Sequence, residues 1–289
     1  MLGQFFINGL VTGILYSLLA IGFALVYYTT KLFHIAAAAI YVFAAFMFYL
    51  FAVPFHVPFF AAAGISVALT MLLSLLMELS VYRPLKRRNA SNNVSMIASI
   101  GVMTVTVNLL AMFFGNETKV VDNRLHDAMA YNGILITMPQ IWQFVVGGAA
   151  IITFLLFIGL SHWGIRLRAL SSDSILYETL GYDTSRTRSF VFLLSGAFIA
   201  IASCLTVYDI GLDPHIGMNV LINAMVAMII GGMGRFWTCV LGGLMLGILQ
   251  SVTVYQFSSN WQNAVTFLLL LLLLFLRPQG LTGYKQRTI

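Results

Sequence analysis

Charged side chains are scarce in this sequence. Asp, Glu, Lys and Arg make up 8% of its 289 residues, whereas a soluble domain carries about 25%. A chain so poor in charge cannot face water over most of its surface. Its apolar runs of roughly 20 residues are long enough to cross a bilayer core of about 30 Å as helices. A helix pairs its own backbone N–H and C=O groups, which lipid cannot do. The sequence therefore predicts an all-α, polytopic membrane helix bundle that forms one domain over residues 1–289.

Patterns that bind metals, phosphates or cofactors are also missing. The sequence contains no HExxH, GxSxG or Walker A pattern, and its five histidines have no metal-ligand spacing. The two cysteines, Cys204 and Cys239, lie inside apolar runs without CxxC spacing, which is typical of packing residues. We therefore expect no enzyme activity, no metal, no cofactor and no ATP binding by this chain itself.

Ionisable residues are missing from the middle of the apolar runs. Proton- or sodium-coupled carriers usually place such residues at that depth, so active transport by this chain would draw its energy from another protein. Glu78 is the one acid near a membrane segment, and we expect it to contact Arg83 or lipid headgroups. Arg235 falls between two apolar runs, where "GGMGRF" favours the tip of a helical hairpin.

The apolar segments number nine. If all nine cross, the N-terminus is outside, the C-terminus is cytoplasmic, and of the 15 Lys and Arg residues only Lys119 and Arg124 lie outside. The net charge of +6 then reflects topology rather than nucleic acid binding. Two of the segments are short, and a re-entrant piece in either place leaves eight spans with the N-terminus inside. The segments cover about 5–28, 35–53 (short), 57–81, 94–114, 141–160, 189–208, 219–234 (short), 236–257 and 260–276.

Two glycine-containing stretches share a pattern. "GLVTGILYS" at 9–17 and "GLMLGILQS" at 243–251 have Gly, Leu, Gly, Ile, Leu and Ser in register. Duplicated halves, which are common in transporters, would explain this. Two independent GxxxG faces for close helix packing explain it equally well.

The polar stretch "LRALSSDSILYETLGYDTSRTR", residues 167–188, separates two apolar runs. Ser172 is a candidate N-cap for a helix that begins at Asp173, and Gly181 suits the left-handed residue that ends it. Apolar residues recur between them at helical spacing, as in "ILYETL". A helix of two turns needs a surface to pack against, which is either the membrane interface or a groove in a cytoplasmic ATPase.

Several stretches together resemble one family, the membrane subunits of ABC importers for branched-chain amino acids and related amides or urea, of the smaller permease kind. Each stretch alone is weak, but their order and spacing along the chain are specific. They are "INGLVTGILYSLLAIGFALVY", "VYRPLKRRN" followed by "MIASIGVMTV", the polar stretch extended from "IRLRAL" to "IAIAS", "MIIGGMGRFWTCVLGGLMLGILQ" and "FLRPQGLTG".

The resemblance implies a complex in the bacterial inner membrane. Its parts would be two permeases, of which this chain is one, two cytoplasmic ABC ATPase subunits and a periplasmic solute-binding protein, with membrane lipid around them and no nucleic acid. Residues 164–188 would form a cytoplasmic coupling loop that docks on an ATPase subunit. The positions that match the family's loop pattern are Arg168, Ala169, Ser172, Asp173, Glu178 and Gly181.

The chain departs from the family in two places. Relatives carry an Asn-Phe-Ala-His-Gly-acid run after the first span, where this chain reads "LFHIAAAAIY", and Gln250 stands where an acid is common. The four alanines either widen a path for a bulky apolar solute or permit close helix packing. The candidate pathway residues are Phe33, His34, Ala37, Tyr41, Asn223, Gly231, Gly232 and Gly234.

The leading hypothesis is therefore a non-enzymatic permease subunit of an importer for branched-chain or other hydrophobic amino acids, which works by alternating access. Urea and short amides are rival substrates. Two other classes stay open, an ATP-independent channel or facilitator and a structural subunit whose sister permease holds the pathway. A channel predicts transport without nucleotide, and a structural subunit predicts unchanged uptake when His34 and Tyr41 are replaced by alanine.

Overall fold

The computed structural model describes residues 2–121, 128–131, 134–232, 234–276 and 280. Helices account for most of this part of the chain, and a five-residue π-helical turn, Glu78–Tyr82, joins the third helix to the fourth. The helices are α1 (Leu2–Thr30), α2 (Ala37–Ala52), α3 (Phe59–Met77), α4 (Arg83–Arg87), α5 (Asn92–Phe114), α6 (Met138–Leu160), α7 (His162–Ser172), α8 (Ser174–Thr179), α9 (Thr184–Ile210), α10 (Gly217–Gly231), α11 (Phe236–Gln256) and α12 (Gln262–Leu276).

Seven helical segments in the described residues are long and apolar enough to cross a membrane, which confirms the predicted polytopic bundle. Helices α2 and α10 are shorter, with 16 and 15 residues. At 1.5 Å per residue they reach about 24 and 22 Å, less than the bilayer core of about 30 Å. The choice between eight and nine spans, and the side of the N-terminus, stay predictions. The seven segments are Gly3–Thr30, Phe59–Arg87, Asn92–Phe114, Met138–Leu160, Thr184–Ile210, Phe236–Gln256 and Ser259–Leu276.

A small antiparallel hairpin is an addition that the sequence pattern did not predict. Strand β1 (Ala128–Tyr131) pairs with strand β2 (Ile134–Thr137), with Ala128 opposite Thr137. The side chain of Gln4 completes the edge of β2: its Nε2 donates to the carbonyl of Leu135 and its Oε1 accepts from the Leu135 amide, both at 2.7 Å. Gln4 thereby satisfies an edge that would otherwise expose unpaired backbone groups.

Contacts divide the chain into two compact units. The first unit consists of residues 1–21, 124–155 and 222–289, and the second of residues 22–123 and 156–221. The expectation of one transmembrane domain over residues 1–289 stays a prediction. The C-terminal residues 277–279 and 281–289, with Arg277, Lys285 and Arg287 and most of the "FLRPQGLTG" signature, lie outside the described residues.

The two glycine stretches pack against each other inside the first unit. A Cβ on Gly9 would lie 2.9 Å from the Cα of Ile248, and one on Gly13 would lie 2.9 Å from the Cα of Leu244. A Cβ on Gly247 would in turn overlap the backbone of Gly13. Small residues that allow such close backbone approach are typical of membrane helix interfaces. The packing interpretation of both motifs is confirmed, and a duplication stays a prediction.

The second unit is built around α2, α3 and α9. Serine hydroxyls join these helices by donating to backbone carbonyls of a neighbour: Ser66 to Ala44 at 2.8 Å, Ser74 to Phe192 at 2.7 Å and Ser203 to Tyr41 at 2.8 Å. The alanine run that starts α2 is buried, with exposed fractions of 0 to 5%. This favours close packing over a widened path. Cys204 and Cys239 are buried thiols, as predicted.

Candidate functional site

The polar stretch predicted as a coupling loop is mostly helical. Helix α8 begins after Asp173, whose Oδ1 accepts hydrogen bonds from the amides of Ile175 and Leu176 at 2.8 and 3.0 Å. The prediction that Ser172 caps this helix is wrong. Ser172 ends α7, and the extended backbone of Asp173 brings its carboxylate to the amides instead. Gly181 has φ of +81°, which confirms the left-handed residue at the end.

Helix α8 is held to α9 on one side and bare on the other. Tyr177 is 2% exposed, and its hydroxyl lies 3.0 Å from the Thr187 Oγ1 of α9. Ile175, two positions earlier and so about 200° away around the helix, is 76% exposed. Leu176 and Leu180, at 58 and 66%, extend this bare apolar face. Six residues do not form a stable helix alone, so the anchor at Tyr177 fixes the orientation of α8.

The structure brings the predicted coupling residues together around α8, and all of them are exposed. Some already have roles within the chain. Asp173 is the cap, and Glu178 accepts a hydrogen bond from Thr184 at 2.8 Å and lies 3.8 Å from Lys86 Nζ. Arg168 and Ala169 use their carbonyls inside α7, accepting from Ser171 and Asp173. The six predicted residues are Arg168, Ala169, Ser172, Asp173, Glu178 and Gly181.

A buried ion pair lies beside this region. Arg188 Nε in the first turns of α9 lies 3.3 Å from Oε1 of Glu78 in the π-helical turn, and the two side chains are 5 and 1% exposed. The ion-pair partner of Glu78 is therefore Arg188, not Arg83 or the lipid headgroups that the sequence predicts. A cation from α9 supplies the charge that the buried carboxylate needs.

Two cavities flank the same arginine. One of about 470 Å³ lies among α4, the end of α8 and the start of α9, and Arg83, Arg87 and Asp183 are in its wall. The other, of about 350 Å³, lies between the end of α1 and the junction of α7 with α8. Arg188 and Lys86 line both. Space therefore surrounds the side chains that connect α8 to the rest of the second unit.

The candidate pathway residues of the second unit are packed inside the chain. His34 and Tyr41 are 0 and 2% exposed, and Ala37 is 5% exposed. Phe33 is half-buried and makes edge contacts with Phe23 and Tyr27, at centroid distances of 5.6 and 5.8 Å. None of the four lines either cavity described above. A role in solute passage stays a prediction for all four.

His34 belongs to a chain of hydrogen bonds. Its Nδ1 lies 2.8 Å from the hydroxyl of Tyr82, which donates to Ser99 Oγ at 2.8 Å, and Ser99 Oγ accepts from the amide of Ala36 at 2.8 Å. Because Tyr82 donates to Ser99, Nδ1 of His34 carries the proton toward Tyr82. Burial lowers the pKa of His34 to about 3, so the ring is neutral.

The candidate pathway residues of the first unit fall at two places. Gly231, Gly232 and Gly234 surround the turn from α10 to α11, where Gly232 and Gly234 have φ of +102° and +117°. Arg235 is exposed and directly precedes α11, which confirms the predicted hairpin tip. Asn223 lies one to two turns into α10, in a polar cluster described next.

Four neutral polar side chains from four helices meet inside the first unit. Gln250 Oε1 accepts from the Tyr16 hydroxyl at 2.8 Å, and Gln250 Nε2 donates to Thr266 Oγ1 at 2.7 Å and to Asn223 Oδ1 at 3.2 Å. Asn223 Nδ2 reaches the Tyr16 oxygen at 3.4 Å. The amide cluster, as we call Tyr16, Asn223, Gln250 and Thr266, ties α1, α10, α11 and α12 together. Among the described residues, no group of three His, Cys, Asp or Glu could hold a metal ion.

The chain was then compared with known proteins. It matches the family described as branched-chain amino acid transport system, permease component, over residues 5–274. The chain belongs to this family. Similar curated permeases include the high-affinity branched-chain amino acid transport system permease protein BraD of Pseudomonas aeruginosa, 28% identical over 97% of this chain and 95% of that protein. LivH of Escherichia coli K12 is 25% identical over 96% of this chain and 94% of its own length.

A solved structure shares the fold of this permease. PsaBC from Streptococcus pneumoniae in complex with Fab superposes with a TM-score of 0.55, covering 94% of this chain and 91% of that chain. The sequence identity is 14%, so the likeness concerns the fold alone. It supports a polytopic helical bundle for the permease.

Sequence reasoning missed three features of the permease site. The Glu78–Arg188 pair, the contact of His34 with Tyr82 and the amide cluster all join residues that are distant in the chain. The unusual Gln250 was a signal for the amide cluster, since a polar side chain within an apolar helix usually has a partner on another helix. No local signal marks Arg188 as buried, because its neighbours in sequence are typical of a polar loop.

Proposed function

We propose that this permease is a membrane subunit of an ATP-driven importer for branched-chain and other hydrophobic amino acids. The observation that carries the proposal is the bare apolar face of α8, held at a fixed orientation by Tyr177. A helix that presents Ile175 and Leu180 to its surroundings fits an apolar groove in a partner. Cytoplasmic ABC ATPase subunits are that partner in this proposal, and the family supports the choice.

The complete importer in this proposal contains two ATPase subunits, a second homologous permease and a periplasmic binding protein. The permease lies in the bacterial inner membrane with α8 and the C-terminus in the cytoplasm. The placement of Lys and Arg supports this orientation, because the positive-inside rule assigns basic stretches such as 83–88, and 166–188 with α8 in it, to the cytoplasm. ATP hydrolysis is the work of the partner subunits.

Closure of the ATPase dimer moves α8, and α9 follows because Tyr177 and Thr187 join the two helices. Asp173 and Gly181 set where α8 begins and ends, and Glu178 holds α8 beside α4 through Lys86. These residues thus act by positioning the apolar face. Arg168, Ala169 and Ser172 hold the end of α7 in line with it.

Solute passage in this proposal is by alternating access. In the second unit, the segment that enters α2 is positioned by Phe33, His34, Ala37 and Tyr41. The corresponding residues of the first unit are Asn223 and, at the turn from α10 to α11, Gly231, Gly232 and Gly234. Neither His34, which is neutral, nor the neutral amide cluster carries a charge that would couple transport to protons. ATP is therefore the energy source in this proposal.

The test is uptake of labelled leucine and labelled urea into proteoliposomes that hold this permease with its cognate permease, ATPases and binding protein. Ile175→Glu places a charge at the centre of the bare face. An acidic residue in the first turn of a helix is favourable, so α8 itself survives. We expect ATP-dependent leucine uptake to fall by at least about tenfold, the effect of burying an unpaired charge in an interface.

Two variants control for this change. Ile175→Leu keeps the apolar face, and Asp173→Asn keeps the cap but removes its charge. Both should transport near the wild-type rate. Urea uptake without leucine uptake would show that the substrate belongs to the urea and amide class. Uptake by this chain alone, without ATP and unaltered by Ile175→Glu, would replace the importer by a channel.

A further inference from the structure

The π-helical turn Glu78–Tyr82 presents two buried side chains. Glu78 and Tyr82 are 1 and 2% exposed and lie four residues apart, so both point to the same side of the turn. Single π-helical turns between α-helical segments frequently occur at functional sites, because they realign the side chains that follow. The proposed function assigns no role to either residue.

Glu78 connects the turn to the coupling region. Its partner Arg188 directly follows Thr187, the residue that contacts Tyr177 of α8. A second link runs through α4, which continues from the turn, where Lys86 lies 3.8 Å from Glu178 of α8. A displacement of α8 therefore reaches both ends of the π-helical turn, at Glu78 and through α4.

Tyr82 connects the same turn to the segment between α1 and α2, residues 31–36. Its hydroxyl lies between His34 Nδ1 and Ser99 Oγ, and Ser99 also receives the amide of Ala36. The rings of His34 and Tyr82 both contact Phe192 of α9, at centroid distances of 5.2 and 5.4 Å. The segment begins at Lys31, which has φ of +57°, so its backbone departs from the helix there. Tyr82 thus holds the entry to α2 in place.

The buried side chains that connect α8 with residues 31–36 have polar atoms without hydrogen-bond partners. His34 Nε2, Glu78 Oε2, and Nε and Nη2 of Arg188 are buried and have no hydrogen-bond partner among the residues that the structure describes. Unpaired buried polar atoms cost free energy in this arrangement, which reduces the free-energy difference from a second arrangement that pairs them. The cavities on both sides of Arg188 provide space for such a change.

We propose that the π-helical turn transmits movement of α8 to residues 31–36 and α2, with Glu78 and Tyr82 as its positioning residues. The proposal rests on the proposed function, since it requires that an ATPase moves α8. In this relay Glu78 receives the displacement through Arg188, and Tyr82 passes it to His34 and Ala36. The relay sets how much solute is moved for each ATP hydrolysed, not the rate of hydrolysis itself.

The test measures ATP hydrolysis and leucine uptake in the same proteoliposomes, prepared with the complete importer. Tyr82→Phe keeps the ring and its packing but removes the hydroxyl that joins His34 and Ser99. We expect ATP hydrolysis to stay within about twofold of wild type. We expect the amount of leucine moved per ATP to fall by about fivefold, because the loss of one hydrogen bond changes an equilibrium constant by about that factor. Ser99→Ala, which leaves Tyr82 intact, should lower the same ratio and covers the case in which Tyr82→Phe does not fold.

Ser74→Ala is the matched control. It removes a buried hydrogen bond of similar length, from Ser74 of α3 to the carbonyl of Phe192 in α9, and leaves the hydrogen bonds of Tyr82 with His34 and Ser99 in place. Its ratio of leucine to ATP should equal that of wild type, although its stability falls. An unchanged ratio in Tyr82→Phe and Ser99→Ala, or an equal loss in Ser74→Ala, overturns the relay. A wild-type complex without ATP-dependent uptake overturns the proposed function instead, and the relay with it.

Discussion

The amide cluster joins helices of the first unit through neutral side chains, whereas the second unit buries an ion pair. The amide cluster of the first unit uses amides and hydroxyls that all find partners. The second unit buries Glu78 and Arg188 and leaves polar atoms of both unpaired. A fully satisfied polar cluster rigidifies the helices that it joins, whereas buried polar atoms left unpaired cost free energy. The difference fits the proposed relay, with a rigid frame in the first unit and a movable element in the second.

The largest effect is expected when the ion pair is broken. Glu78→Leu leaves the Arg188 guanidinium buried without its counter-charge, which costs about 3–5 kcal/mol. The free energy of unfolding in detergent micelles, measured by titration with a denaturing detergent, tests this. The double variant Glu78→Leu with Arg188→Leu should recover most of the loss, because it removes both charges. If the double variant is as unstable as the single one, the pair is not the source of the effect.

The glycine contact of the first unit should give the next largest effect. Gly13→Ala places a methyl group 2.9 Å from the Cα of Leu244, a backbone atom that cannot move aside alone. We expect a loss of roughly 1–3 kcal/mol in the same unfolding experiment. Gly148→Ala is the control, because nothing lies within 4 Å of a Cβ there. It should be neutral or slightly stabilising, and equal losses in both variants would show that α1 and α11 do not pack as described.

The amide cluster should show a smaller cost. Gln250→Leu removes the side chain that bonds Tyr16, Asn223 and Thr266, and hydrogen bonds between membrane helices are worth about 0.6 kcal/mol on average, up to about 1.7. Thr253→Val in the same helix is the control, since its hydroxyl donates to the carbonyl of Leu249 within α11. If the cluster is a rigid frame, Gln250→Leu lowers stability by about 1 kcal/mol but leaves the ratio of leucine to ATP unchanged. A lowered ratio would place the cluster with the movable parts of the molecule.

Local features of the structure were predictable from the sequence, and contacts between distant residues were not. The left-handed Gly181, the hairpin tip at Arg235 and the packed cysteines follow from short-range chemistry. The cap of α8 was displaced by one residue because Ser172 and Asp173 are both good caps, and the choice depends on where α7 ends.

The partner of Glu78 shows why the rest was out of reach. Sequence spacing offers Arg83, one helical turn away, whereas the burial of both Glu78 and Arg188 depends on how α3 and α9 pack. The same applies to His34 and Tyr82, which approach only when residues 31–36, the π-helical turn and α5 come together. Composition and motif order gave the bundle and the family, because these depend on hydrophobic length and on a pattern along the chain.

The smallest effect on stability is expected at the exposed link of the second unit. Lys86 and Glu178 lie 3.8 Å apart with side chains 52 and 57% exposed. Water screens such a pair, so it contributes between about 0 and 1 kcal/mol. Lys86→Met should therefore leave the free energy of unfolding within about half a kcal/mol of wild type. If α4 nevertheless carries movement of α8 to the π-helical turn, the ratio of leucine to ATP falls in this variant.

Lys119→Met, a change of the same type in a loop remote from α8 in sequence, should leave the ratio unchanged. Stability and ratio that both stay at wild type would leave Arg188 as the sole route from α8 to Glu78.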